Sequence, residues 1–287
     1  MSVACPLHKS GFAERAEHGW SAPTSAFLSA RHLARKSVLA LANQTFREPT
    51  GNFVRCLYGH AVFPEQRETL RNLVRYCRNR GEFITTAQLR TIVESGEEPD
   101  GRFFHLSFDD GFANVYEEGG AILAEEGVPY VMFIATDLIG ASLEKMQAYN
   151  DTALKYRQPL RTMTWDQVRQ SIADGAEIGC HTQTHARLSH ISCDTVQLVA
   201  EISEAKSIIE NETGRVCDAF AWPFGKHADI DEAALTAIKD AGFSICFSAE
   251  RGAVVPGQDS VFEIPRHQLE LHWPKWELEL FARGYRD

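Results

Sequence analysis

Two short stretches carry side chains of the right type and spacing for acid–base and metal chemistry. Ser107-Phe108-Asp109-Asp110-Gly111 sets two adjacent carboxylates where an apolar run meets a glycine turn and a helical pattern begins. Successive strand residues face opposite ways, but at a strand end the chain bends and both carboxylates can reach one cleft. Two carboxylates in one cleft repel, so at least one needs a cation beside it; a metal would supply it. His181-Thr182-Gln183-Thr184-His185 follows a second strand end, Glu177 to Cys180. In a helical turn, residues i and i+4 lie on one face, so both imidazoles could share one ion. Thr182 stands where the His-Glu-x-x-His of zinc proteases has its glutamate, so a base must come from elsewhere, and the Asp pair is the available donor. One Asp and two His form a facial set of three N/O ligands that leaves metal positions open. Such a metal lowers the pKa of its water and polarises a carbonyl, while the second Asp is free to act as base. Each stretch also has a plainer reading. Asp-Gly is a common turn dipeptide, and the chain holds 11 histidines. A third stretch, Phe220-Ala221-Trp222-Pro223-Phe224-Gly225, is either an ordinary strand-to-helix turn or a rigid one presenting a backbone N–H to an oxyanion.

The elements that must position these groups alternate along the chain. A helix is expected over Ala30 to Asn43, with Leu33, Val38, Leu39, Leu41 and Ala42 as its apolar residues, and a strand over Phe53 to Tyr58. Pro64 opens a helix whose face is Leu70, Leu73, Val74 and Cys77 at i, i+3, i+4, i+7, with Gly81 in the place of a C-cap glycine. Thr85 with Gln88, and Thr164 with Gln167, read as capping boxes. Strands follow at Phe103 to Phe108, Tyr130 to Ala135, Glu177 to Cys180, Phe220 to Trp222 and Phe243 to Ser248. Between them lie helices from Asn114 to Glu126, from Thr164 to Gly175, from Asp194 to Gly214 and from Asp231 to Ala241. Ser142 to Met163 reads as a polar loop over the surface. Strands alternating with amphipathic helices imply a mostly parallel sheet, which periodicity alone leaves as either a barrel or an open doubly wound sheet. GxGxxG, GxxxxGK[ST] and GxSxG are all absent, so dinucleotide, P-loop and serine-hydrolase sites lack support.

Composition narrows the function further. The 287 residues, 44% hydrophobic and 24% charged, make one large globular domain or two small ones and exclude a disordered chain. Against 39 Asp and Glu stand 29 Lys and Arg, a net charge of −10, which argues against nucleic-acid or anionic-membrane partners. Seven cysteines cannot all pair, and no C-x-x-C occurs; reduced thiols in a cytosolic setting are the simplest reading. The start has no apolar run behind a basic one, and no stretch approaches the ~18 apolar residues of a spanning helix, so a cytoplasmic protein is expected. Residues 1–50 are expected to form an N-terminal extension packed on a catalytic domain over 51–287.

Ser-Phe-Asp-Asp-Gly, His-Thr-x-x-His and Trp-Pro-Phe-Gly, in that order, resemble the polysaccharide deacetylase family of carbohydrate esterases from about Arg55 to Arg266. The resemblance implies an α/β fold, a distorted, incomplete (β/α) barrel with its site at the C-terminal mouth of the strands. It implies that Asp109 is the catalytic base, that Asp110, His181 and His185 bind a divalent metal, usually zinc, and that the Phe224 backbone N–H is the oxyanion donor. Two departures stand out. Ala221 occupies the place of an arginine that pairs with the catalytic Asp, and Arg266 is the candidate replacement. The family's general-acid histidine has no clean match; His267 is favoured over His272 and His60. The implied reaction is removal of an N-acetyl group, with O-acetyl as second choice, from a sugar in a glycan or glycan precursor. Alternatives are an amidohydrolase acting on a small non-sugar amide, and a carbohydrate-binding protein that kept the metal and lost turnover. Trp273 and Trp276 either pack a C-terminal helix or stack on sugar, Cys180 reads as a core thiol, and His105 as a strand histidine without a catalytic role.

Overall fold

The computed structural model describes residues 11–19, 26–154 and 156–287, with 26–32 by backbone alone. Among the described residues, eight strands form one sheet: β1 (Phe53–Gly59), β2 (Glu82–Phe83), β3 (Arg102–Phe108), β4 (Val131–Ile134), β5 (Glu177–Cys180), β6 (Ala219–Ala221), β7 (Ile245–Phe247) and β8 (His267–Gln268). The order is β7-β6-β5-β4-β3-β1-β8, every pairing is parallel, and β2 adds to β3 off this path. The two ends of the sheet meet in one short segment. His267 and Gln268 pair with Leu57 and Tyr58 of β1, while Ile264 bridges Phe247 of β7. This is the expected distorted, incomplete barrel, held shut by five residues.

Side chains alternate across the strands and divide the core. Val54 and Cys56, Val131 and Phe133, Ala219 and Ala221, Ile245 and Phe247, and Ile264 form the cluster inside the barrel. Leu57, Phe104, Leu106, Phe108, Met132, Ile134, Phe220, Trp222 and Cys246 face outward under the helices. Gly179 is needed inside because a Cβ there would lie 2.4 Å from the Phe133 ring. The helix Arg67–Arg78 buries the expected Leu70, Leu73, Val74 and Cys77. Both capping boxes form: Gln88 N donates to Thr85 Oγ1 (3.2 Å) and Thr85 N to Gln88 Oε1 (2.9 Å), with the same pair of bonds between Thr164 and Gln167.

Three expectations change. Gly81 is not the C-cap, which is Asn79, although its N–H donates to Cys77 O (3.0 Å); its hydrogen is needed because a Cβ would lie 2.4 Å from the Arg102 carbonyl oxygen. The N-terminal helix is longer, Ala26–Thr45, and it buries Leu39 but leaves Leu33, Val38 and Leu41 exposed. Ser142 to Met163 is not a surface loop. Ser142 caps a helix, Leu143–Tyr149, that widens into a π-turn over Asn150–Leu154 and buries Met146 and Tyr149. No helix among the described residues is long and apolar enough to cross a membrane.

The barrel interior makes a stability prediction. His105 on β3 is 1% exposed, bonded through Nε2 to Thr86 Oγ1 (3.0 Å) and stacked on Phe247. Burial, helped by the Arg266 charge, lowers its pKa to about 3. The folded state therefore resists protonating a group that the unfolded chain protonates near pH 6.5. Stability is complete above that value and drains away as pH falls towards 3, by on the order of 5 kcal/mol. Urea titrations of His105→Leu should show a lower stability at neutral pH but a flatter decline between pH 6.5 and 4 than the parent.

Candidate active site

At the C-terminal mouth of the strands, chain bends and buried charges converge. Among the described residues five non-glycines have positive φ, and four of them are here: Asp110 (72°), Thr182 (67°), His185 (63°) and Phe224 (64°). Such conformations are costly for residues with a Cβ and collect at functional sites. The left-handed Asp110, followed by the left-handed Gly111 (71°), is the bend that turns both carboxylates into one cleft. The two histidines do not share a helical face. They lie in an irregular loop, and the left-handed turns at Thr182 and His185 bring the imidazoles together, with ring centroids 4.9 Å apart. Glu201, on the π-turn Ala200–Glu204, ties that loop down. Its carboxylate accepts from Gln183 N (3.0 Å), Thr184 N (2.9 Å) and Thr184 Oγ1 (2.6 Å).

Asp110, His181 and His185 meet as expected. Asp110 Oδ1 is 3.3 Å from His185 Nε2 and 3.6 Å from His181 Nε2, and one ligand atom from each residue lies within 4.8 Å of the others. His181 Nδ1 is 2.6 Å from the Ala221 carbonyl oxygen; only a donated N–H satisfies that pair, so Nε2 keeps its lone pair turned to the cluster. Burial outweighs the nearby Asp109 charge and lowers the His181 pKa to about 4, which keeps the imidazole neutral and able to ligate. Among the described residues, Asp110 Oδ2 is buried without a partner. Its carboxyl is held well below the usual range: burial opposes this, but the bond to His185 and the surrounding histidines prevail. Two converging imidazoles, an ionised carboxylate and an unsatisfied buried oxygen fit a divalent cation.

Asp109 faces a different partner. Arg266 Nη1 and Nη2 donate to Asp109 Oδ1 (2.8 Å) and Oδ2 (2.9 Å) in a bidentate pair. The guanidinium is completely buried and gives its other donors to Ser107 Oγ (3.0 Å) and Ser248 O (2.6 Å). Burial would raise the Asp109 pKa, but the Arg266 charge and hydrogen bonds hold it below the ordinary carboxylate value. Arg266 thus supplies from the closing segment the cation missing at Ala221, which lies in the barrel core.

His267 corrects an expectation. On a strand its side chain must point opposite to that of Arg266. It lies outside the barrel, fully buried, with Nε2 2.8 Å from Asp287 Oδ1. His60, one residue past β1, lines the cavity instead, together with Tyr58, Asp109, Asp110, Ala153, Leu154, His181, His185, Phe224, Gly225 and Arg266, around about 150 Å³. His60 Nδ1 is 2.5 Å from Glu270 Oε1. Burial disfavours its charge, but the Glu270 carboxylate wins and raises the pKa to about 9. Phe224 sits over His185 at 4.9 Å, and its backbone N–H donates to no backbone carbonyl among the described residues. Tyr149 was hidden in the stretch read as a loop; its hydroxyl is 3.4 Å from Asp110 Oδ1. Trp273 packs against Phe281 at 5.8 Å, and neither it nor Trp276 lines the cavity. Cys180 is buried in the outer core.

Comparison with known proteins agrees with this geometry. The family model "Polysaccharide deacetylase" matches residues 96–246. YxkH of Bacillus subtilis (strain 168) is 19% identical over 170 residues, 59% of this chain and 53% of that protein, so the match spans about half the relative's length. IcaB from Ammonifex degensii shares the fold at a TM-score of 0.64 and 19% identity, over 81% of this chain and 98% of IcaB. The Streptococcus pyogenes deacetylase PplD, solved in complex with acetate, does so at 0.61 and 15%, over 80% and 97%.

Proposed function

The chain belongs to the polysaccharide deacetylase family, and from that premise we propose that it is a metal-dependent deacetylase hydrolysing the N-acetyl group of a sugar in a glycan or glycan precursor. One observation carries this reading: a buried arginine clamps one carboxylate of the Asp pair while the other joins two imidazoles. The pair is thereby divided into a base and a ligand, which is the division that hydrolysis of an amide needs.

Asp110, His181 and His185 would hold the ion, with zinc the expected metal. When bound, it supplies Lewis acidity, activating water and polarising a carbonyl. Asp109, kept ionised and fixed by Arg266, takes the proton of the attacking water through a carboxylate oxygen. The Phe224 N–H lies on the cavity wall, available to the oxygen that gains charge. His60, protonated at neutral pH through Glu270, gives its proton to the departing amine. A cavity of about 150 Å³ suits an acyl group, leaving the sugar towards the mouth. The acetate named in the PplD complex is the product that such a site would release.

The deciding experiment couples metal analysis with acetate release. Purified protein should carry about one divalent ion per chain, release acetate from a member of a panel of N-acetylated sugars, lose this activity on chelation, and regain it with Zn²⁺. A metal-loaded protein that released acetate only from small non-sugar amides would overturn the substrate assignment, and one that bound acetylated sugars without turnover would overturn the enzymatic one.

A further inference from the structure

We propose that Tyr149 is a positioning residue of the metal centre, its phenol holding the Asp110 carboxylate in the orientation that the ion requires. This rests on reading Asp110, His181 and His185 as the ligand set. Two contacts motivate it. The Tyr149 hydroxyl is 3.4 Å from Asp110 Oδ1, the same oxygen that faces both imidazoles. Its ring meets the His185 ring edge-on, with centroids 5.2 Å apart. One side chain, brought in by a separate segment, therefore touches two of the three ligands.

The segment is built to hold it still. Tyr149 and Met146 pack with Phe112, Leu138 and Leu160 in a buried cluster. The next residue, Asn150, is 2% exposed and locks the π-turn by donating to Tyr156 O (2.8 Å) and accepting from Tyr156 N (3.0 Å). Helices widen in this way at functional sites more than elsewhere. Asp110 needs such a neighbour, because it occupies a left-handed turn and its Oδ2 has no partner among the described residues. Once the imidazole nitrogens are committed to an ion, the phenol remains as a donor within reach of Oδ1. Ligating carboxylates are themselves hydrogen-bonded, and loss of such an outer partner typically weakens metal binding ~10–100-fold.

The test is a Co²⁺ titration of the metal-free full chain, read by the visible absorption of the bound ion, on wild type, Tyr149→Phe and Tyr149→Leu. The phenylalanine keeps the ring and removes one hydroxyl. It should leave the thermal midpoint of the metal-free protein unchanged, weaken Co²⁺ binding by roughly tenfold or more, and alter the absorption envelope. Affinity and spectrum identical to wild type in Tyr149→Phe would overturn the proposal, and weakening confined to Tyr149→Leu would reduce the residue to packing. Failure of wild type to take up Co²⁺ would instead remove the ligand set itself, a result distinct from either.

Discussion

Arg266→Ala is expected to destabilise the protein by about 3–5 kcal/mol and to push the acid limb of its pH–rate profile upward. The guanidinium is completely buried, bidentate to Asp109 and enclosed by the Tyr58, Phe133 and Phe247 rings. Without it, Asp109 remains buried with no paired cation, and burial is the influence that raises its pKa. The sign follows directly. With Arg266 present, the folded pKa lies below the unfolded one, so this ion pair stabilises fully above the ordinary carboxylate range and is lost as pH falls through the depressed value. In the variant the folded pKa rises, and a base that must be ionised to work fails at higher pH. Lysine at 266 keeps the charge but not the planar fork, so it should restore part of the stability and less of the rate. Urea unfolding and kcat against pH measure the two effects separately. An unchanged pH profile in Arg266→Ala would show that the bidentate pair has no part in the chemistry.

Periodicity and motif chemistry made much of this visible in advance. The strand-end placement of Asp109, Asp110, His181 and His185 follows from apolar runs that end in turns, because strand C-termini in parallel sheets are where sites form. The remainder depended on contacts that spacing does not encode. Arg266 and His267 cannot both serve one cavity, since a strand points neighbours to opposite sides. Knowing that Ile264 to Gln268 is the segment closing the barrel would have made the choice, but two paired residues and a single bridge leave almost no periodic signal. Tyr149 was missed because Ser142 caps its helix without a Glu or Gln partner at N3, where Lys145 stands, and because its apolar spacing is interrupted by a π-turn. Glu201 lies 16 positions beyond His185, inside a helix, and no local pattern ties it to the loop that it braces. The two histidines do converge, but left-handed turns rather than the helical face that their spacing suggests bring the rings together.

The sharpest division of roles lies within the Asp pair. Asp109→Asn should lower kcat by ~10²–10⁴, the usual contribution of a positioned base, while the metal content stays at the wild-type level. The asparagine preserves shape but offers one oxygen where Arg266 now finds two, so it loses both the charge and half of the fork. His181→Ala should do the reverse. It removes the ring that Ala221 O orients, leaves two ligands, and empties the centre while the barrel remains folded. Both variants would be inactive, so rate alone cannot separate them, and metal analysis beside single-turnover acetate release can. Adjacent aspartates could exchange duties only if the bend at Asp110 were undone, because its left-handed backbone (φ 72°) aims one carboxylate at the imidazoles and leaves the other in the guanidinium fork. Metal lost from Asp109→Asn and kept by Asp110→Asn would mean that the duties are reversed, and the assignment of base and ligand would then have to be exchanged.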